Sequence, residues 1–415
     1  MTTSRLPGFH NLTRQERLKR VAEAAHLSRQ QHEYLTKAAG VEGDLAENLS
    51  ENVIGVMSVP LGIATNLIVD GDEVLVAMAT EESSVVAAVC NGALACRATG
   101  GVTTNADAPQ MIAQIQVLDV EYFGAARKAL EENKGVISRL CNDFDPQLAT
   151  LGGGFRDLEI REIDRLLVLH LVVDVRDAMG ANAVNSMAEM LAPYVEKWTG
   201  GRVGLRILSN LADRRLVRAK AVWPRALLGA ERVERMCEAY AFAAADPYRA
   251  ATHNKGIMNG IDAVAMATGN DTRALEAGAH AFAATRGTPY KPLTTWNISQ
   301  DGDLIGALEL PMPVGIIGGA TKAHPTAQIA LKIMDVTSAD RLARVMAAVG
   351  LVQNFSALRA LAGEGIQRGH MGLHARNVAI SAGATGEQIE RVAQKMIQRG
   401  VVREDAARAL IKGKC

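Results

Sequence analysis

The chain has 415 residues, and its 45 Lys and Arg balance its 45 Asp and Glu, so the formal net charge at pH 7 is zero. This length exceeds what one hydrophobic core usually supports, and we expect two or more domains. The balanced charge removes the electrostatic argument for a nucleic-acid or anionic-membrane partner, so the predicted partners are small molecules and copies of the chain itself.

The cysteines and the hydropathy pattern predict a cytoplasmic protein. The N-terminal residues lack the apolar region of a secretory signal. The longest uncharged stretch, 53–69, is shorter than a membrane-spanning helix and contains Pro60, so no transmembrane segment is predicted. The cysteines are odd in number and form no C-x-x-C pair, which favours a reducing compartment and argues against zinc: Cys90, Cys96, Cys141, Cys237 and Cys415.

The first part of the chain predicts two helices followed by a hairpin. Thr13-x-x-Glu16 is a capping box that opens the first helix, and a second helix covers 27–39. The apolar stretches 53–69 and 74–78 flank Asp70-Gly71-Asp72, which predicts a β-hairpin.

A third helix is predicted over 85–96, with Ser83 or Ser84 as its N-cap. Glu81 and Glu82 then lie at a junction between a strand and a helix. Side chains at such junctions commonly reach a cleft.

Between residues 109 and 213 short predicted strands and helices alternate, which predicts an inserted small α+β domain. The chain contains neither G-x-x-x-x-G-K-[ST] nor G-x-G-x-x-G, so this domain is not a standard P-loop or Rossmann domain. The predicted elements are a strand at 111–120, a helix near 121–140, a strand at 166–173, a helix ending at Tyr194 and a strand at 203–208.

The run Asp177-Ala178-Met179-Gly180-Ala181-Asn182 follows a buried strand and opens a helix. Small residues there would let the backbone approach a pyrophosphate, and the N–H groups at a helix start favour an anion. Glycine turns after strands are also common for structural reasons, so both interpretations stay open. Asp145 could accept hydrogen bonds from an adenosine ribose and repel a 2′-phosphate, or it could be an ordinary loop aspartate.

Lys255 and Asp271 lie in largely apolar sequence. A lysine in an apolar environment must find an anion or lose its proton. Asp271 would hold the ammonium charged, so that it could stabilise an oxyanion developing on a bound carbonyl compound. The alternative is a structural salt bridge in a helical core.

Beyond residue 213 the pattern predicts helices, interrupted by a hairpin at 293–310. Residues 315–321 form a glycine-rich turn suited to close approach of a ligand or to tight packing. Gly363-Glu364-Gly365 is a plausible hinge before a last helical segment. The predicted fold is therefore α+β, with a large, mostly helical domain (1–108 and 214–363), an inserted small α+β domain (109–213) and a C-terminal helical segment (364–415).

His370 and His374 follow this hinge and are four residues apart. They would share a helix face as metal ligands do, but no cysteine cluster completes a site, so no metal is predicted. A histidine on a movable segment suits protonation of a leaving group. A helix-end histidine bonded to backbone is the structural alternative.

Together these runs resemble the soluble class II bacterial 3-hydroxy-3-methylglutaryl-coenzyme A (HMG-CoA) reductases, and among them those of mevalonate-degrading bacteria. The resemblance spans nearly the whole chain. Several separated motifs in the same order are far more specific than any one of them. The landmarks are residues 51–55 (Glu-Asn-Val-Ile-Gly), 81–84, 177–182, 249–260, 268–271, 318–319 and 369–371.

The resemblance implies a four-electron exchange among HMG-CoA, mevalonate, CoA and two nicotinamide cofactors, through mevaldehyde. Lys255 would stabilise the oxyanion in each hydride step, and Asp271 would bind and tune Lys255. Glu82 would exchange a proton with the substrate oxygen at the mevaldehyde stage. His370 would protonate the CoA thiolate.

The resemblance also implies binding residues and an assembly. Because Asp145 matches an acidic position associated with NAD in relatives, NAD(H) is the expected cofactor, with coenzyme A as a substrate. The active site would lie between subunits, with 51–55 at the contact of a homodimer. The large domain would bind the substrate, the small domain would hold the cofactor, and residues 364–415 would form a C-terminal flap. The HMG or mevalonate group would be bound by Ser84, Arg249, Asn259 and His374. The cofactor would be bound by Asp145, Asp177, Ala178, Met179, Gly180, Ala181 and Asn182.

One departure and two rival functions remain open. His10 occupies the position of a CoA-contacting arginine in a close relative, which leaves the CoA phosphate contacts open. The first rival is the same fold working with NADPH in mevalonate synthesis. The second is a non-catalytic oligomer that binds CoA or a nucleotide.

Overall fold

The computed structural model describes residues 9–39, 43–285, 290–363 and 375–412. The chain divides into two compact units, residues 1–61 and residues 62–415. The first unit is helical, with α1 (Arg14–Ala24), α2 (Arg29–Ala39) and α3 (Gly43–Leu49). The predicted capping box is confirmed, because the Thr13 side chain accepts from the Glu16 N–H while the Glu16 carboxylate accepts from the Thr13 N–H at 2.8 Å.

The strands form two sheets. Their bounds are β1 (Leu61–Val69), β2 (Asp72–Ala79), β3 (Val102–Ala106), β4 (Gln110–Leu118), β5 (Gly154–Ile163), β6 (Leu166–Asp174), β7 (Arg202–Leu208), β8 (Leu216–Trp223), β9 (Thr294–Ile298) and β10 (Leu304–Pro311). One sheet has the order β2-β1-β3-β8-β10-β9, and the other has the order β5-β6-β4-β7. In the six-stranded sheet β1 and β3 are parallel, whereas β3, β8, β10 and β9 pair in antiparallel fashion.

The larger unit also contains most of the helices. They are α4 (Val85–Cys96), α5 (Phe123–Glu132), α6 (Lys134–Phe144), α7 (Pro146–Thr150), α8 (Ala181–Thr199), α9 (Arg225–Leu228), α10 (Ala230–Ala245), α11 (Pro247–Ala267), α12 (Thr272–Thr285), α13 (Gly319–Ala323), α14 (Pro325–Ile333), α15 (Ala339–Leu361), α16 (375–381), α17 (Glu387–Gln398) and α18 (Glu404–Ile411). The α+β prediction is confirmed. No helix in the described ranges is long and apolar enough to cross a membrane.

Three aromatic side chains form the centre of the core beneath the six-stranded sheet. Trp223 on β8 stacks on Phe355 of α15 with ring centroids 4.4 Å apart, and Trp296 of β9 lies 5.2 Å from Trp223. All three are buried. Burial of such large rings anchors α15 against β8 and β9, and the sheet thereby supports the helices that carry the site.

The four-stranded sheet is antiparallel throughout and lies entirely within residues 109–213. Helices α5, α6 and α8 supply part of its core, with Leu130, Ile137 and Met187 fully buried. An antiparallel sheet excludes a Rossmann domain here, as the missing fingerprint predicted. The proposed domain boundaries at 109, 214 and 364 remain predictions.

Several elements differ from the sequence pattern. The helix predicted near 121–140 is two helices, α5 and α6, and the strands β3, β5 and β8 were not predicted. The helical pattern predicted beyond residue 213 is wrong for β8, in which buried and less buried residues alternate around Arg218 and Lys220. This period of two residues is a strand signal that the basic side chains obscured.

The C-terminal residues 375–411 form their own small hydrophobic cluster. Ala379, Val392, Met396 and Ala407 are buried in it. Residues 364–374, including most of the predicted hinge, lie outside the described residues. The hinge therefore stays a prediction.

Candidate active site

Helix α11 carries polar residues along an otherwise largely buried helix. It begins after Asp246, whose side chain accepts a hydrogen bond from the Arg249 N–H at 2.8 Å, and Pro247 occupies the first turn. These are typical features of a helix start. Lys255 and Asn259 are four residues apart, so their side chains lie one above the other on the helix surface.

The Glu82 carboxylate accepts hydrogen bonds from both of these side chains. Lys255 Nζ donates to Glu82 Oε2 at 2.9 Å, and Asn259 Nδ2 donates to Glu82 Oε1 at 3.4 Å. Glu82 lies between β2 and α4, where its N–H donates to Thr80 Oγ1 at 3.1 Å. The Lys255 and Glu82 side chains are 60% and 45% exposed. An ammonium and a carboxylate that are both open to solvent can polarise a carbonyl and exchange a proton with it.

The predicted contact between Lys255 and Asp271 is not formed within one chain. Asp271 instead accepts from the N–H groups of Arg273 and Ala274 at the start of α12, and its Oδ1 lies 3.2 Å from Arg273 Nε. The reason is the continuous helix α11, which rises about 18 Å from Lys255 to Ala267 at about 1.5 Å per residue. Glu82, rather than Asp271, is the carboxylate that this chain places against Lys255.

Of the remaining predicted substrate residues, the structure describes Ser84 and Arg249. Ser84 is the N-cap residue of α4, as predicted, but its φ is 76° and its side chain makes no capping hydrogen bond. A left-handed serine is uncommon and is a feature of functional sites. His370 and His374 lie outside the described residues, so their roles stay predictions.

Arg249 is half-buried, and burial lowers the pKa of its guanidinium. Among the residues that the structure describes, no carboxylate lies within ion-pair distance of Arg249. A partly desolvated cation without a carboxylate partner favours an incoming anion.

The predicted cofactor residues 177–182 form the turn between β6 and α8. Gly180 has a φ of 101°, and a Cβ at this position would lie 2.7 Å from a Val175 methyl group, so glycine is required. Ala181 begins α8, and Asn182 is exposed beside it. Asp177 also has a structural role, because its Oδ1 accepts from the Ala339 N–H at 2.7 Å at the start of α15.

The segment 312–321 lies against this turn. Ala178 and Ile317 form a parallel bridge, and a Cβ on Gly315 would come within 2.4 Å of the Met179 nitrogen. Asn270 Oδ1 accepts from the Gly315 N–H at 2.8 Å. The structure therefore brings together three runs that the sequence presents separately, namely 177–182, 268–271 and 315–321.

Arg215 is a functional candidate that sequence reasoning missed. Its guanidinium donates to the carbonyl oxygens of Ala178 at 3.1 Å, Met179 at 3.3 Å and Val314 at 2.6 Å. Burial lowers its pKa to about 10, against the opposing effect of nearby aspartates, so it stays charged at neutral pH. No motif surrounds Arg215, because its acceptors are backbone groups distant in sequence.

Arg215→Ala should lower the free energy of unfolding by about 3 kcal/mol, because three carbonyl oxygens would lose their donor in a buried place. Urea denaturation measures the change. Arg202→Ala, which removes an exposed arginine of β7, is the control and should have little effect. Equal stability of the two variants would contradict the role assigned to Arg215.

Asp145 has a structural role that the sequence left open. It precedes α7, and its Oδ1 accepts from the Leu148 N–H at 2.9 Å. Two arginines lie at the adjacent glycine turn, since Arg156 and Arg176 both donate to the Gly152 carbonyl. The cofactor role of Asp145 stays a prediction. Within the described ranges, no group of three or more His, Cys, Asp or Glu side chains could hold a metal ion.

The chain is similar to known proteins over most of its length. Residues 13–375 match the family described as Hydroxymethylglutaryl-coenzyme A reductase. A 3-hydroxy-3-methylglutaryl-coenzyme A reductase of Archaeoglobus fulgidus is 54% identical over 415 residues, covering 99% of this chain and 94% of that protein. A probable reductase of the same name from Borreliella burgdorferi is 36% identical over 346 residues, covering 81% of this chain and 78% of that protein.

A solved structure is similar over nearly the full length. It is the class II 3-hydroxy-3-methylglutaryl-CoA reductase of Streptococcus pneumoniae bound to NADPH in open conformations, with a TM-score of 0.76 and 38% identity. The similarity covers 97% of this chain and 99% of that one. The chain therefore belongs to the hydroxymethylglutaryl-coenzyme A reductase family.

Proposed function

We propose that the protein is a cytoplasmic HMG-CoA reductase that uses NAD(H) and works chiefly in the oxidation of mevalonate with CoA. The observation that carries the reductase activity is the contact of Lys255 and Asn259 with Glu82, on the same helix as Arg249. This group offers a cation for an oxyanion, a carboxyl group for proton exchange and a second cation for the free carboxylate of the substrate.

Each residue has a step in the reduction of HMG-CoA. Lys255 stabilises the oxyanion that forms when hydride adds to the thioester carbonyl. His370 protonates the CoA thiolate as the carbon–sulfur bond breaks to give mevaldehyde. Glu82 then donates a proton to the aldehyde oxygen during the second hydride addition. Arg249 pairs with the substrate carboxylate, and mevalonate oxidation reverses these steps.

A nicotinamide cofactor supplies or accepts the hydride when it is bound. The 177–182 turn fits such a group, because α8 begins there with its N–H groups at the turn. Asp145 carries the preference for NAD in this proposal, since its charge would repel a 2′-phosphate.

The second candidate is an NADPH-dependent reductase that works in mevalonate synthesis. Two observations favour it. The Streptococcus pneumoniae structure has NADPH bound. Arg156 and Arg176 lie at the Gly152 turn and could pair with a 2′-phosphate.

The Asp145→Asn variant tests whether Asp145 sets a preference for NAD over NADP. Asparagine keeps the capping acceptor for Leu148 but removes the charge, so use of NADP by the variant should rise about tenfold relative to NAD while stability is unchanged. The measurement is absorbance at the nicotinamide band with mevalonate, CoA and either cofactor at matched concentration. A wild-type enzyme that prefers NADP would refute the NAD proposal, and no turnover with either cofactor would refute the reductase itself.

We further propose a homodimer in which the second copy supplies Asp271 to the Lys255 group. Within one chain Lys255 lies about 18 Å before the end of α11, and Asp271 accepts from the N–H groups at the start of α12 beyond that end. A two-fold arrangement supplies the same residue to both sites at once. This assembly would reconcile the predicted lysine–aspartate contact with the geometry of the chain.

A further inference from the structure

The buried Arg215 side chain connects the cofactor turn, residues 177–182, to the segment that follows β10. Its Nη1 donates to the carbonyl oxygens of Ala178 and Met179, and its Nη2 donates to the carbonyl oxygen of Val314 at 2.6 Å. The planar fork of a guanidinium fixes the directions of the acceptors that it binds. One side chain therefore sets the direction of two peptide units in the turn and the position of the neighbouring segment.

Backbone and side-chain hydrogen bonds add to this connection. The Ile316 N–H donates to the Asp177 carbonyl oxygen at 2.9 Å, and the Gly315 N–H donates to Asn270 Oδ1 at 2.8 Å. The Asp177 carboxylate accepts from the Ala339 N–H at 2.7 Å. The cofactor turn is thus ordered by contacts within the chain itself, which lowers the entropic cost of binding a ligand there.

The carbonyl contacts of Arg215 also determine where N–H groups of the turn point. In a trans peptide unit the N–H is directed opposite to the C=O, so the Gly180 N–H points away from the guanidinium that binds the Met179 carbonyl. Gly180 has a φ of 101° and Ala181 begins α8, and successive N–H groups in such a turn can converge on an anion. Within the described ranges, no protein acceptor binds the N–H groups of Gly180, Ala181 and Asn182. These donors suit the pyrophosphate of a nicotinamide cofactor.

The charge of Arg215 adds to the attraction for an anion. In the part of the chain that the structure describes, its acceptors are carbonyl oxygens rather than carboxylates. Three aspartates act on it electrostatically, but Asp174 and Asp340 pair with other arginines and Asp177 accepts from the start of α15. A buried cation without a direct anionic partner is costly, which points to a function beyond packing.

We propose that Arg215 is a positioning residue for the nicotinamide cofactor, because its hydrogen bonds to the Ala178 and Met179 carbonyl oxygens direct the N–H groups at the start of α8 toward the pyrophosphate. The proposal rests on the cofactor site proposed for residues 177–182 and goes beyond the stabilising role of Arg215. The guanidinium acts through the backbone of the turn. Since NADH and NADPH share the pyrophosphate, the role is the same whichever of the two the enzyme prefers.

Arg215→Lys tests the positioning role, because it keeps the charge but replaces the planar fork with an ammonium. The Kd of the full-length enzyme for NADH and for NADPH should each rise about tenfold, which is the value of about one hydrogen bond to a charged group. Fluorescence titration of the reduced nicotinamide without substrate measures both constants. Arg214→Lys, the same change at the adjacent and half-exposed arginine, is the matched control and should bind both cofactors as wild type does.

Binding of HMG-CoA separates positioning of the turn from a general disturbance of the fold. The acceptors of Arg215 lie in the cofactor turn and at Val314, whereas the proposed contacts to the substrate carboxylate and carbonyl come from α11. The Kd for HMG-CoA, measured by titration calorimetry, should therefore stay at its wild-type value in Arg215→Lys. Partial unfolding would raise the apparent Kd of both ligands by the same factor, because only folded molecules bind.

The outcomes distinguish this role from the proposed function. A wild-type enzyme that binds neither NADH nor NADPH overturns the proposed function. An Arg215→Lys variant that binds both cofactors as tightly as wild type, or that loses affinity for HMG-CoA by the same factor, overturns only the positioning role. If Arg215→Lys does not fold, Arg215→Gln takes its place, since its amide can still donate to a carbonyl oxygen. Wild-type affinity for the cofactors in that variant would likewise overturn the proposal.

Discussion

Lys255→Ala should lower kcat for both HMG-CoA reduction and mevalonate oxidation by about 10³-fold or more. The ammonium stabilises charge that develops in the transition state, so its loss should appear in kcat rather than in KM. The Lys255 side chain is 60% exposed, and its removal should leave the fold intact. Steady-state assays in both directions measure the effect, with thermal unfolding as the test of folding.

Two further variants make the result specific. Lys197→Ala removes an exposed lysine of α8 and should retain wild-type activity. Lys255→Arg keeps the charge but changes its geometry, so partial activity is expected. A Lys255→Ala variant within tenfold of wild type would contradict the oxyanion role. Ligand binding by a wild type without turnover would favour the non-catalytic oligomer.

Subunits carrying Lys255→Ala and subunits carrying Asp271→Asn should be inactive alone but recover about a quarter of wild-type activity when co-expressed. Random pairing makes about half of the dimers mixed, and each mixed dimer has one intact site of two. The intact site combines Lys255 and Glu82 of one chain with Asp271 of the other. Activity per subunit of the purified mixture measures the recovery.

The matched control is the co-expression of subunits that carry Lys255→Ala with subunits that carry Glu82→Gln. These two residues meet at 2.9 Å within one chain, so every site in a mixed dimer lacks one of them and no activity should return. Recovery in this control, or none with Lys255→Ala and Asp271→Asn, would exclude the shared site.

Much of the local structure follows from sequence signals that act over a few residues. The Thr13 capping box, the helix over 85–96 and the hairpin ending in β10 are all present. Each depends on signals between near neighbours: a capping box for the first, the apolar pattern of a helix for the second and turn residues for the third. By contrast, strand β8 was not predicted, because Arg218 and Lys220 interrupt its apolar residues. Its strand structure becomes evident only from its pairing with β3 and β10.

In the candidate active site, too, some features follow from local sequence and others depend on tertiary packing. Residue types and spacing suffice to single out Lys255, Glu82 and the 177–182 run, because the chemistry of an amine, a carboxylate and a glycine turn is local to each. Which carboxylate meets Lys255 depends on the rigid rise of α11 and on the packing of β2 against α11, and neither can be read from the residues themselves. The role of Arg215 likewise arises from groups that lie far apart in sequence and become neighbours only through packing.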